Sequence, residues 1–206
     1  MDKQDKPSKS TPSAIPQLAQ PGAGLPFFEK IFARYFIVNR LPYKMTWEDT
    51  NALFQREGKR ILEIFQGLSD DKKTNPILID RIQGIEDSSR FWSPTMVLEH
   101  LIIVGTGMSE AIQMLSKGQH PTFVADVAKV KPTTNLAPEI AEKSFLEFLE
   151  NTQVAMQNLV SDRESKITFK HPWFGGLTAR QWHWLMAAHQ RIHRKQLQLI
   201  VSNFET

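Results

Sequence analysis

At 206 residues and 23.6 kDa, with 41% hydrophobic and 23% charged residues, the chain suits one compact domain that can bury a real core. It has no cysteine, which excludes disulfides, thiolate metal sites, CxxC redox chemistry and a cysteine nucleophile. A formal charge of +3 neither demands nor excludes a polyanionic partner, and nucleic acid is not predicted as one. The longest strongly apolar run, Leu101 to Val104, is far short of the roughly 20 residues that span a bilayer, and the N-terminus lacks the apolar stretch of a secretory leader. A cytoplasmic location is the expectation.

Residues 1–26 differ from everything after them. They hold five of the twelve prolines (Pro7, Pro12, Pro16, Pro21 and Pro26) and almost no large apolar residue. Such a segment buries too little surface to offset its ordering entropy, so a disordered tail is expected over 1–26, followed by a single domain over 27–206. In residues 27–40, Phe28, Ile31, Phe32, Tyr35 and Phe36 recur at helical spacing, which predicts a short amphipathic helix.

Four long helices follow. The first opens at Thr46, an N-cap with Asp49 three residues on, carries Leu53, Phe54, Ile61, Ile64 and Phe65, and fades at Gly67. The second opens with Ser93-Pro94, a cap followed by proline in the first helical position, and ends near Gly118. The third begins near Pro138 and runs to about Leu159. The fourth starts at Thr178, with Gln181 in capping-box spacing, and continues to about Phe204. Residues 77–86 are ambiguous between a strand and a helical turn, and no internal repeat is visible. The predicted architecture is all-α: a four-helix bundle with a short extra N-terminal helix. The connection over 119–136 is long enough to run the length of a neighbouring helix, but loop length alone does not decide the order of the bundle.

The fourth helix carries the chemistry. Trp182, Leu185, Met186, His189, Ile192, His193, Leu197 and Ile200 trace one stripe, which places His189 and His193 one turn apart on the same face. Two imidazoles at i, i+4 can bind one ion; as a motif by itself the pair is weak. On the second helix, His100 interrupts the apolar stripe of Val97, Leu101, Val104, Met108 and Ala111 in the same way. Three unpaired core imidazoles would be costly, and a shared cation answers all three costs together. Three histidines also leave an open position, as in catalytic metal sites. The competing reading is that each imidazole hydrogen-bonds a neighbour. His183 should face away from the stripe, His120 should lie on the surface, and His171 is assigned to packing at the bundle end.

Other metal and nucleotide chemistries lack their motifs. There is no Glu-x-x-His pair of the ferritin-like type, no HExxH, no P-loop and no GxGxxG. No general base is identifiable: Glu99 neighbours His100 but points about 100° away, and Gln196 could orient a ligand or a bound water.

The stretch Trp92-Ser93-Pro94-Thr95-Met96-Val97-Leu98-Glu99-His100-Leu101 carries a resemblance. So do His171-Pro172-Trp173-Phe174-Gly175, Leu177-Thr178, Trp182, His189, His193 and Gln196-Leu197, in that order. Together they resemble the DinB-like superfamily over roughly residues 46–204. The resemblance implies a four-helix bundle wound up-down-down-up, with a metal-binding triad that falls on His100, His189 and His193. It implies a divalent metal such as zinc or nickel, and an activity as a metal-dependent hydrolase or as a transferase using a low-molecular-weight thiol such as bacillithiol or mycothiol. A small-molecule substrate and a homodimer are further expectations from it. With no cysteine in the chain, any sulfur nucleophile would have to be diffusible.

A different class of function rests on residues 27–44. Phe27, Phe28, Ile31, Phe32, Tyr35 and Phe36 stand among Lys30, Arg34, Arg40 and Lys44, with Glu29 the lone acid. The commoner fate of such an aromatic face is packing on the bundle. The alternative is a non-catalytic interaction module whose basic aromatic helix docks to a partner or a membrane surface.

Overall fold

The computed structural model describes residues 16–133 and 136–204. Its elements in chain order begin with α1 (Phe27–Phe32), a π-helical turn (Ala33–Ile37) and α2 (Val38–Arg40). These are followed by α3 (Trp47–Gln66), α4 (Asp70–Thr74), β1 (Ile77–Leu78), β2 (Phe91–Trp92), α5 (Pro94–Ser116), α6 (Pro138–Asn158), β3 (Phe169–His171), β4 (Gly175–Leu177) and α7 (Ala179–Ser202). Short 3-10 turns lie at Leu41–Lys44, Asp87–Ser89 and Val127–Val130.

Three of the four long helices start where a side chain can cap them. Thr46 and Asp49 exchange hydrogen bonds across the first turn of α3, and Thr178 and Gln181 do the same for α7. The Ser93 hydroxyl accepts the Met96 N–H at the start of α5, and Pro94 occupies a position whose N–H would have no helical partner. Each cap is worth about 1 kcal/mol. α6 starts at Pro138 with no side-chain cap bond.

Contacts along the helices set their directions. Trp47, first in α3, stacks on His183 near the start of α7 with centroids 3.8 Å apart, and Glu57 pairs with Arg194 further along both helices, so α3 and α7 are parallel. Trp47 Nε1 donates to the Met156 carbonyl (3.2 Å) and Gln66 to Glu142 (2.8 Å), so α6 is antiparallel to α3. Phe148 of α6 lies against Gly105 of α5, and Asp162 beyond the end of α6 bonds Ser116 at the end of α5, so these two are parallel. The order around the bundle is α3, α7, α5, α6, with α3 and α5 diagonal and the winding up-down-down-up. Phe54, Ile61 and Phe65 from α3, Leu98, Leu101 and Ile112 from α5, Phe145 from α6 and Leu197 from α7 close the core between them.

Parallel neighbours α5 and α6 require the intervening chain to return along the bundle, and residues 119–133 do so, passing beside the first turns of α5. α5 is apolar enough over its length to cross a membrane, with a mean hydropathy of 1.2 in its best window, but 67% of that window is buried inside the bundle.

Several expectations need correction. Residues 1–15 of the expected tail lie outside the described residues. Residues 16–26 are laid on the body: the Gly22 and Gly24 N–H groups donate to Glu86, Ala19 N–H donates to Asp87, and Leu25 is buried. Backbone donors matched to two carboxylates supply what the segment's composition lacks in apolar surface. The helix expected over 27–40 is present, with a π-helical turn at Ala33–Ile37 in its middle, but its aromatic face is turned to solvent rather than onto the bundle. The ambiguous 77–86 segment opens as strand β1, paired antiparallel with β2, and residues 169–177 form a small hairpin where a loop was expected.

Candidate metal centre

His100 sits in the second turn of α5, and His189 and His193 lie on adjacent turns of α7. Because α5 and α7 are antiparallel neighbours, the three side chains meet. His193 Nε2 is 3.0 Å from His189 Nε2, and His100 Nε2 is 3.3 Å from the same atom. The three nitrogens form a group whose ligand atoms all lie within 4.8 Å of one another. His100 and His193 are buried; His189 is half-buried and forms the accessible edge.

The tautomers of two rings follow from their neighbours. His100 Nδ1 lies 2.8 Å from the Val130 carbonyl oxygen, which can only accept, so that nitrogen carries the proton and Nε2 carries the lone pair. His193 Nδ1 is 2.6 Å from Gln196 Oε1, and the Gln196 amide N–H₂ is committed to the Ser89 carbonyl at 2.6 Å. That commitment leaves Oε1 as the acceptor, so His193 Nε2 is likewise a lone pair facing the centre. His189 Nε2 therefore meets two lone pairs. One N–H can serve only one of them well, whereas a cation is served by all three.

Protonation would spoil the cluster, and burial opposes it. Desolvation, followed by the charge of the neighbouring imidazoles, holds His100 and His189 well below the ordinary 6.5. Burial takes His193 to about 4, with Gln196 working the other way and Lys131 adding to the depression. All three rings are neutral at pH 7, the form that ligates.

A wall of tied side chains stands behind the rings. Trp92 stacks on His193 with centroids 6.0 Å apart and 9° between planes, and packs obliquely on His100 at 4.9 Å. Lys131 Nζ lies 5.6 Å from the centroid of the Trp92 ring and pairs with buried Glu86 at 2.8 Å, while also donating to Ser89 Oγ. Burial alone would raise Glu86, but Lys131 and the Gly24 and Gly22 N–H groups outweigh it and hold the carboxyl below its ordinary range. The segment over 16–25 is thereby tied to the same support as Gln196.

Beyond His100 along α5 opens a cavity of about 190 Å³. Val104, Met108, Phe123, Phe169 and Trp182 line it, together with the 123–130 return segment that also supplies the Val130 carbonyl. Asp126 and Lys129 are its charged residues.

The remaining sequence candidates fall elsewhere. Glu99 is buried but engaged: its carboxylate accepts from the Thr133 N–H (3.1 Å) and hydroxyl (2.6 Å), so it is neither solvated nor directed at the three rings. His183 faces away from the site as expected, yet it is buried against α3, stacked on Trp47 and bonded to Asn51 Oδ1 at 2.7 Å. His120 is exposed. His171 stacks on Phe174 at 4.5 Å and accepts the Trp173 N–H, a packing role at the bundle end, and it also borders the cavity. Sequence reasoning missed Trp92 as the wall and Val130 as the tautomer-setting acceptor. A carbonyl carries no side-chain signal; Trp92 stands next to the Ser93 cap and was visible only as part of the resemblance.

No family model and no curated protein matches the chain. A solved structure, TT2238, a four-helix bundle protein, superposes with a TM-score of 0.50 over 74% of this chain and 98% of that one, at 21% identity. That likeness extends to the fold: an all-α four-helix bundle, here with three histidines that could hold a metal ion.

Proposed function

We propose that the chain is a DinB-like metal protein in which His100, His189 and His193 hold one divalent transition ion, zinc or nickel, and that it acts on a small apolar molecule as a hydrolase or a small-thiol-dependent transferase. The observation that carries this reading is the meeting of three Nε2 atoms, two of them set as lone pairs by acceptors that cannot themselves donate a proton. Support also comes from where the residues of the resemblance stand. Ser93 caps the helix of His100, Trp92 backs two of the rings, and Gln196 orients His193.

An ion held there supplies Lewis acidity, which acidifies a water or an incoming thiol near neutral pH. Val130 and Gln196 hold the ligand tautomers, and Trp92 excludes water from behind the rings. His189, the half-buried member, marks the side from which a substrate arrives. The cavity beside α5 suits the apolar body of that substrate, with the Lys129–Asp126 ion pair among its lining residues. With no cysteine in the chain, the transferase route requires a thiol from solution.

Elemental analysis of tag-free protein, purified without chelator or nickel resin, tests the proposal. About one equivalent of a transition metal per chain is expected in the wild type and a large loss in His189→Ala. Absence of metal from both, even after reconstitution, overturns it. Turnover of neutral apolar esters with and without an added small thiol then separates the two reaction types.

A further inference from the structure

The segment over 27–44 presents one side to the bundle and the other to solvent. On the inner side, Val38 and Pro42 are buried, Ile37 packs on the core, and Gln181 of α7 donates to the Val38 carbonyl at 3.0 Å. Glu29, its lone acid, is consumed by the body: it pairs with Arg81 and accepts the Gly84 N–H. The outer side carries Phe28 at 83% exposure, Phe27 at 64%, Tyr35 at 58% and Phe32 at 57%, with Phe36 and Tyr43 beside them.

Among the described residues, the ring contacts of this face are with one another and with cations. Phe27 meets Phe28 edge-on, Phe32 stacks on Phe36, and Arg34 and Arg40 lie over Tyr35 and Phe36. None of Lys30, Arg34, Arg40 and Lys44 forms an ion pair among the described residues. Glu29 is neutralised from behind, so the outer face is aromatic and purely cationic. A water-exposed apolar patch of this kind is unfavourable unless something covers it.

We infer that this face is a peripheral docking surface for an anionic lipid bilayer. The charge decides the occupant. Four unpaired cations meet the negative surface potential of acidic phospholipids, while the rings enter the headgroup region, where they need no shaped groove and accept any orientation. A second copy of the chain would set the same four cations against each other. The surface does not depend on the metal centre, and its tether through Glu29 and Val38 holds it in place before it meets the lipid.

The test is co-sedimentation of the full chain with phosphatidylcholine vesicles, alone and with about 30% phosphatidylserine. Binding to the phosphatidylserine vesicles only, released by high salt, is expected. Arg40→Glu/Lys44→Glu should weaken it by roughly twenty-fold or more, since each basic residue near such a surface contributes about a five-fold factor. Phe28→Ser/Phe32→Ser should abolish binding. All four side chains are exposed, so circular dichroism and metal content should match the wild type in both variants. Failure of the wild type to bind anionic vesicles, or binding that both variants retain, overturns the inference. So does a concentration-dependent dimer in sedimentation equilibrium that Phe28→Ser/Phe32→Ser dissolves without any lipid binding, because the face would then be a contact between copies.

Discussion

Each of the three clustered histidines was legible as a polar interruption of an apolar helical stripe, and its chemistry was legible only in the partner of its second nitrogen. His189 and His193 share a face by spacing alone, and His100 meets them because α5 and α7 run antiparallel. What orients the rings is different in kind. The acceptor for His100 is a backbone oxygen thirty positions away, at the end of a connection whose sequence bears no trace of the role. Gln196 was visible one turn beyond His193, but its commitment to the Ser89 carbonyl, which makes it an obligate acceptor, is a tertiary fact. Gln196→Ala removes that acceptor and lets His193 exchange tautomers, so part of its neutral population presents a proton where a lone pair is needed. Partners of this sort are worth about 10–100-fold in metal affinity. A competition titration against a chelating indicator dye should show that loss, while His120→Ala, on the exposed loop, should leave affinity unchanged.

Among the elements, helix starts were readable because the signals are local. Thr46 and Thr178 declare themselves by a cap and its partner three residues on, and Ser93 by a cap followed by proline. The hairpin over 169–177 was hidden because its strands are three residues each, too short for alternation to show, and are joined through Pro172. The inward or outward sense of the N-terminal aromatic stripe was hidden too, since periodicity marks a face without saying what covers it. Packing distances between helices are equally invisible, and here two glycines separate the possibilities. A Cβ on Gly105 would lie 2.2 Å from Phe148 Cζ, whereas one on Gly107 meets nothing within 4 Å. Both sit inside α5, where alanine is intrinsically better than glycine by about 1 kcal/mol. Gly107→Ala should therefore be neutral or stabilising by up to that amount. Gly105→Ala must displace the ring that joins α5 to α6, and should cost about 1–3 kcal/mol despite the same propensity gain. Urea denaturation of the pair reads both signs in one experiment.

At the scale of the molecule, fold class followed from four amphipathic stretches, but their order around the bundle depended on which faces found one another. The resulting arrangement buries α7 against both α3 and α5, and with it an unusual load of histidine. His100, His171, His183, His189 and His193 are all held below the ordinary 6.5, in every case first by burial. The consequence for stability has a definite sign. Below about pH 6.5 the unfolded chain gains protons that the folded chain refuses, so unfolding becomes progressively easier as pH falls. The full contribution is present above the unfolded value and is lost on descending toward the folded one. His183 is the clean probe, because it lies on the α3 side, away from the three clustered rings, and burial, with Arg163 and Arg180 adding to it, takes it to about 3. Across the window from 6.5 down to about 3 this one ring can contribute a slope of up to about 1.4 kcal/mol per pH unit. His183→Gln keeps a polar group within reach of Asn51 but cannot titrate. Its unfolding free energy, measured in urea at intervals from pH 7.5 to about pH 4, should start below the wild type at neutral pH because the stacking on Trp47 is lost. It should then fall less steeply, so that the two curves converge in acid. Parallel curves would mean that His183 takes up its proton in the folded state as readily as in the unfolded one, and that the stack on Trp47 tolerates a charge.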